Sequence, residues 1–246
     1  MRLKTIAQPF YAAWVLITFI AGLLVVLPFY MLLSVRKNVR ARKAISKLLK
    51  AWMRAWFLII GMPVTVSGPK PPQGRYVVVA NHISYLDPLV LFPALPNYFR
   101  PLGKEEFSKV PLLGYLYRQI TIMVERGDAK SRARSMRNMW RVLQQEGDIL
   151  IFPEGTFNET THPLKDFHNG AFSLAINTHT PILPVIFPDT VHRWHYSGWW
   201  KWWPGPNRAI YLPPVPVDGL TMDDLPALKQ KLYDIMWAAL AQYNYP

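Results

Sequence analysis

The sequence predicts an α/β domain with a mixed, mostly buried sheet flanked by helices. A membrane helix and an amphipathic helix at the membrane interface are expected to precede it. Three observations predict this. From Val64 onward, short β-branched runs alternate with helical stretches, the pattern of strands and helices layered in one domain. Phe10 to Val35 carries no charged residue. Between these regions, basic residues recur at helical spacing. A chain of 246 residues fits one sizeable domain plus an appendage, with expected boundaries of 1–62 for the anchoring helices and 63–246 for the domain.

Phe10–Val35 as a helix would span about 39 Å, more than the ~30 Å of a hydrocarbon core. It is about twice the length of a signal-peptide core. Pro28 admits a kink, so a re-entrant hairpin within this segment is the alternative to a span. Arg36, Lys37, Arg40, Arg42 and Lys43 follow it, against Arg2 and Lys4 before it. The heavier positive flank is expected on the cytoplasmic side, which would put everything after Val35 there if the segment spans.

Residues 36–60 read as an amphipathic helix. Arg36, Arg40, Lys43, Lys47, Lys50 and Arg54 form one row, and Ile45, Leu49, Trp52 and Trp56 an opposing one. A basic face backed by tryptophans suits the headgroup layer; a helix covering the core, with its basic face in water, is the alternative. Gly61 and Pro63 end it.

Strands are predicted near Val64–Ser67, Arg75–Ala80, Tyr98–Leu102, Ile120–Val124, Asp148–Phe152, Ile182–Phe187 and Arg208–Leu212. Helices are predicted near Pro88–Ala94, Pro111–Arg118, Ala129–Glu146, Gly170–Thr178 and Leu225–Tyr243. In the helix from 129, Lys130, Arg134, Arg137 and Arg141 line one face, and Ala133, Met136, Trp140 and Leu143 the other. Gly147 is its expected stop. Half of the ten tryptophans fall between His192 and Trp203, interleaved with cations, and are expected at the lipid interface.

Composition agrees. Hydrophobic residues make up 51% and charged ones 17%, too apolar for disorder and in keeping with membrane contact. The net charge of +13 attracts anionic lipid, nucleic acid or acidic small molecules alike. No nucleic-acid recognition motif is present, so nucleic acid is not an expected partner. The chain has no cysteine, which excludes disulfides, thiolate nucleophiles and Cys-ligated zinc.

Chemistry concentrates at two strand ends. After the apolar run to Ala80 come Asn81, His82 and, five residues past the histidine, Asp87. Folded back by a turn into a helix, the carboxylate can fix the tautomer of a histidine base. In an extended strand the two would lie about 16 Å apart, and the plainer reading is a helix start that Asp87 only caps. After the run to Phe152 come Pro153, Glu154, Gly155 and Thr156, and strand ends of open α/β sheets are where ligands usually bind.

These blocks, with Lys104-Glu105-Glu106-Phe107 and Leu183-Pro184-Val185, occur in the order seen in the glycerolipid acyltransferases. Residues 64–190 most resemble the 1-acyl-sn-glycerol-3-phosphate (lysophosphatidate) acyltransferases. The match comprises Asn-His-x4-Asp at Asn81, His82 and Asp87; Lys-x-Glu at Lys104 and Glu106; and Phe-Pro-Glu-Gly-Thr at Phe152–Thr156.

The resemblance implies a glycerolipid acyltransferase-like fold and direct acyl transfer from a thioester (acyl-CoA or acyl carrier protein, ACP) to a lysolipid hydroxyl. His82 would be the base and Asp87 its orienting partner, in preference to acylation of Ser84. Asn81, Lys104, Arg126, Glu154, Gly155 and Thr156 are the implied substrate-binding residues, and no metal or other cofactor is implied. Oxyanion donors are expected in the backbone near Glu154–Thr156.

Two departures bear on the acceptor. The family continues Glu-Gly-Thr with an arginine, implicated in holding the acceptor phosphate, where this chain has Phe157 and Asn158. Relatives often read Phe-Lys-Lys-Gly where it has Phe167-His168-Asn169-Gly170. Lys104, Arg126 and Lys165 are the cations left to compensate. The alternative readings are an O-acyltransferase for a non-phosphate lysolipid such as a lyso-aminolipid, and an inactive lipid-binding or tethering protein.

Overall fold

The computed structural model describes residues 2–109, 113–124 and 129–243. Two helices lead, α1 (Arg2–Ser34) and α2 (Val39–Ile59). The strands that follow are β1 (Val64–Ser67), β2 (Val77–Ala80), β3 (Phe99–Lys104), β4 (Ile122–Val124), β5 (Asp148–Ile151), β6 (Ile182–Ile186) and β7 (Asn207–Tyr211). The remaining helices are α3 (Asp87–Ala94), α4 (Leu113–Ile120), α5 (Ala129–Gln145), α6 (Gly170–Thr178), the short α7 (Thr190–Arg193) and α8 (Leu225–Leu240). Every predicted strand forms within a few residues of its expected place.

The strands make one sheet in the order β1-β7-β6-β2-β5-β3-β4. From β6 to β4 the neighbours run parallel; β7 is antiparallel to β6, and β1 is parallel to β7. The predicted mixed sheet is therefore present. Strand alternation divides the central side chains between two cores. Val77, Val79, Ile149 and Ile151 pack with Met139, Phe172 and Leu232 of α5, α6 and α8. Val78, Ala80 and Leu150 pack with Ala12, Trp56 and Leu91 of α1, α2 and α3. Because β2 and β5 pair in parallel, with Val79 opposite Ile151, the two motif-bearing strand ends open side by side.

Helix α1 runs unbroken through Pro28, so the hairpin considered within Phe10–Val35 does not form; α1 packs instead against α2. It is long and apolar enough to cross a membrane, with only 17% of its apolar window buried, and Phe10, Leu24 and Leu32 lie exposed. Such an outer face is at home in lipid rather than water.

Helix α2 departs from expectation. Its apolar row is covered by protein, since Ile45, Leu49, Met53, Trp56 and Phe57 are all buried. Lys50, expected in the basic row, is buried too, and its ammonium donates to the carbonyls of Leu95 (2.6 Å), Pro96 (3.0 Å) and Asn97. A cation suits these carbonyls because a helix end leaves them without partners. Arg40, Lys43, Lys47 and Arg54 keep the exposed basic face.

Helix α5 is rotated relative to its predicted face. Ser135, Met139, Val142 and Leu143 are buried, while Trp140 is 49% exposed. The stripe that enters the core ends on Glu146, whose carboxylate takes a two-point contact from Arg42 of α2. Gly147 follows α5, but not as a left-handed cap; a Cβ there would lie 2.3 Å from the Tyr98 carbonyl oxygen. The tryptophan segment is split. Trp194 and Trp202 stack on each other at 4.1 Å, whereas Trp199 and Trp200 are 67% and 44% exposed.

Asp148 opens β5 as a buried carboxylate, accepting from the Tyr76 N–H and the Asn97 amide. Burial pushes its carboxyl up to about 6, with the Tyr76 bond opposing. The folded chain thus holds this proton more tightly than the unfolded one. The stabilisation is complete below the ordinary value of 3.8 and is lost as the pH rises through about 6. Thermal melts from pH 4 to 7 should contain a falling component that Asp148→Asn removes; an identical pH profile in the variant would contradict this origin.

Candidate active site

At the end of β2 the chain turns back on itself around one carboxylate. Asp87 opens α3 but does not cap it: Leu86 holds the N-cap position and no side chain makes a capping bond there. Instead the fully buried Asp87 Oδ2 accepts from His82 Nδ1 (2.9 Å), the Ile83 N–H (2.7 Å) and the Ser84 N–H (2.8 Å). An oxygen receiving two amides is acting as an acceptor, so in the neutral imidazole Nδ1 carries the proton and Nε2 the lone pair. His82 lines a cavity of about 600 Å³, and 14% of its side chain remains exposed.

Aromatic rings fix the imidazole plane. Phe152 stacks on it at 4.0 Å, and Phe157 closes over it at 4.2 Å. Tyr85 packs against both Phe157 and Trp194. Ser84 is fully buried, and its hydroxyl donates to the Trp194 carbonyl (2.7 Å) while accepting from the Leu86 N–H. It therefore ties the tryptophan segment to the site and is not placed as a nucleophile.

The second motif holds the first in position. Glu154, 2% exposed, accepts from the His82 N–H (2.7 Å) through Oε1 and from the Lys165 N–H (3.0 Å) through Oε2. Asn158 donates its N–H to the His82 carbonyl at 2.7 Å. Burial pushes the Glu154 carboxyl up to about 8, with the two amides pulling the other way. Gly155 occupies φ +73°, which a side chain rarely tolerates, and its N–H is held by the Phe152 carbonyl.

The implied binding residues thus divide. His82, Gly155 and Thr156 line the cavity. Asn81 is fully buried and faces away, clamping Phe187 at the end of β6 through both its amide groups. The Glu154 carboxylate is likewise engaged by backbone, through the His82 and Lys165 N–H groups. Lys104 ends β3, but its side chain lies outside the described residues, as does Arg126 altogether. Sequence reasoning missed Phe152, Tyr85 and Asn158. A ring or amide close in sequence to a motif was the signal available, but not which way it turns.

The cavity continues from His82 into an apolar slot between β3, α4 and β4, lined by Pro101, Leu102, Tyr117 and Val124. Among the described residues no group of three His, Cys, Asp or Glu could hold a metal.

The family model described as Acyltransferase matches residues 63–188, which contain His82, Asp87, Glu154 and the cavity lining but not Trp194. The chain belongs to the acyltransferase family. Curated relatives include 1-acyl-sn-glycerol-3-phosphate acyltransferases of Limnanthes douglasii (29% identical, covering 72% of this chain and 63% of the relative) and of Homo sapiens, the alpha form (34%, 71% and 62%). The Mus musculus alpha form is 35% identical over 89% of this chain and 74% of its own length. The match therefore spans under two thirds of the plant and human relatives. Among solved structures, the 1-acyl-sn-glycerophosphate (LPA) acyltransferase PlsC from Thermotoga maritima superposes with a TM-score of 0.74 over 98% of this chain and 96% of its own, at 22% identity. That likeness bears out the acyltransferase fold, including its leading helices.

Glu154→Gln replaces one acceptor oxygen by an NH₂ facing an amide donor. Acyl-transfer turnover should fall at least tenfold with little change in KM for either substrate, since the His82 backbone loosens. A rise confined to acceptor KM would return Glu154 to a binding role.

Proposed function

We propose that the protein is a membrane-bound O-acyltransferase. It moves a fatty acyl group from a thioester, acyl-CoA or acyl-ACP, to the free hydroxyl of 1-acyl-glycerol-3-phosphate, giving phosphatidate. The observation that carries the reading is the His82–Asp87 pair at the mouth of a cavity with an apolar slot, supported by the names of the curated relatives.

In this reaction His82 Nε2 takes the proton of the acceptor hydroxyl as that oxygen attacks the thioester carbonyl. Asp87 stabilises the imidazolium that forms. The tetrahedral intermediate collapses by breaking the C–S bond, and the imidazolium returns its proton to the leaving thiolate. The amides of Thr156 and Phe157, with no backbone acceptor among the described residues, are the donors left at the turn for the oxyanion. The apolar slot along β3 and α4 suits an acyl chain. Lipid supplies the acceptor, and the basic flank Arg36–Lys43 favours a catalytic domain on the cytoplasmic face.

One observation favours a second reading. Phe157 stands over His82, at the position where the family resemblance implies an arginine, which suits a non-phosphate lysolipid such as a lyso-aminolipid. Expression in cells lacking their own lysophosphatidate acyltransferase separates the two: phosphatidate accumulates under the first, a new acylated aminolipid under the second. His82→Ala should lower thiol release from acyl-CoA about 10²–10⁴-fold with the protein still folded. Near-normal turnover in that variant would remove the histidine from the mechanism.

A further inference from the structure

Acceptance of a phosphomonoester requires a cation close to the reacting histidine. In 1-acyl-glycerol-3-phosphate the free hydroxyl and the phosphorus are only four bonds apart, so the phosphate must sit beside the His82 ring. Among the described residues lining the cavity there is no lysine or arginine, and the position next to Thr156 is filled by Phe157, an aromatic ring packed on His82. Neutral hydrogen bonds alone compensate a phosphate dianion poorly.

Among the described residues, Lys165 reaches this wall from outside it. Lys165 Nζ donates to Thr156 Oγ1 at 2.9 Å, and Thr156 lines the cavity together with His82. The backbone of Lys165 is pinned, since its N–H is held by Glu154 Oε2 and the neighbouring Leu164 and Phe167 are buried in the core. Ordering the side chain on a ligand therefore costs less entropy than for a lysine on a free loop. The Lys165 ammonium forms no ion pair within 4 Å among the described residues, where the pairs involve Arg42, Arg100, Arg208 and His82, although its charge acts on the buried Glu154 carboxyl. An ammonium has three donors. Thr156 takes one and the Phe157 carbonyl lies 3.5 Å away, leaving donor capacity for a phosphate oxygen.

From this placement we infer that Lys165 is the acceptor-specificity residue. It supplies, from the loop after β5, the positive charge that binds the phosphomonoester of the lysolipid while His82 addresses the hydroxyl. The inference rests on the phosphatidate-forming reading above. A second phosphate source exists in the donor, because coenzyme A also carries phosphates, and the test must separate the two.

Thiol release is measured in mixed micelles for the full chain and for Lys165→Met, Lys165→Gln and Lys165→Arg. The acceptor is varied at saturating acyl-CoA, then acyl-CoA at saturating acceptor. Loss of one charge-assisted bond should raise KM for 1-acyl-glycerol-3-phosphate about tenfold to hundredfold in Lys165→Met. Lys165→Gln, which keeps a donor for Thr156 but no charge, should behave alike, and Lys165→Arg should stay close to the unaltered chain. KM for acyl-CoA should not move. An unchanged acceptor KM in the folded Gln variant overturns the assignment, as does a rise seen only for acyl-CoA. If the unaltered chain makes no phosphatidate, the parent reading falls together with this one.

Discussion

One oxygen atom organises the corner around His82. Asp87 Oδ2 is sealed from water and receives the imidazole and two backbone amides. A buried carboxylate is tolerated only where donors replace its lost hydration. That requirement bends residues 82–87 into a single shape, which in turn aims Nε2 outward. The aspartate thus sets the ring tautomer and the loop conformation by the same contacts, and altering one alters the other.

Above that loop, the sheet topology brings the remaining parts together. Parallel neighbours β2 and β5 end side by side, so a glutamate seventy-two residues after His82 can hold the histidine's own N–H. On the opposite flank Asn81 ties the end of β2 to Phe187 just beyond β6. Three adjacent strand ends are locked by side chains pointing into the protein, and the cavity wall beside His82 is left to Gly155, Thr156 and the rings of Phe152, Phe157 and Tyr85.

Much of this was legible in the sequence and some was not. The strands were, because buried parallel strands are written as continuous β-branched runs such as Val77–Val79. The His82–Asp87 pairing was also legible, since its spacing demands a turn. What failed depended on partners distant in sequence. Lys50 lies in register with a row of exposed cations, and only the carbonyls of Leu95, Pro96 and Asn97 explain its burial. Helix α5 presents apolar residues on more than one side, and the stripe that turns inward, Met139, Val142 and Leu143, ends on a Glu146 paired with Arg42 of α2. Glu154 and Asn81 were placed at the site by their motifs, but direction is a tertiary property, and both engage backbone groups with their polar atoms.

The attachment of α1 bears on how such a protein can be handled. Its Tyr11 hydroxyl bonds the Ile60 carbonyl, Thr18 meets the Trp56 indole at 3.2 Å, and the Tyr30 hydroxyl reaches the Leu116 carbonyl of α4 at 2.7 Å. Ala12 and Val15 belong to the same core as Val78 and Leu91. The anchor is therefore also a wall of the enzyme. Cutting it away to obtain a water-soluble catalytic fragment would unroof Trp56 and Phe57 and leave a damaged core. Solubility is better sought by polar replacement of the outward Phe10, Leu24 and Leu32, which keeps the inner face of α1 where the fold needs it.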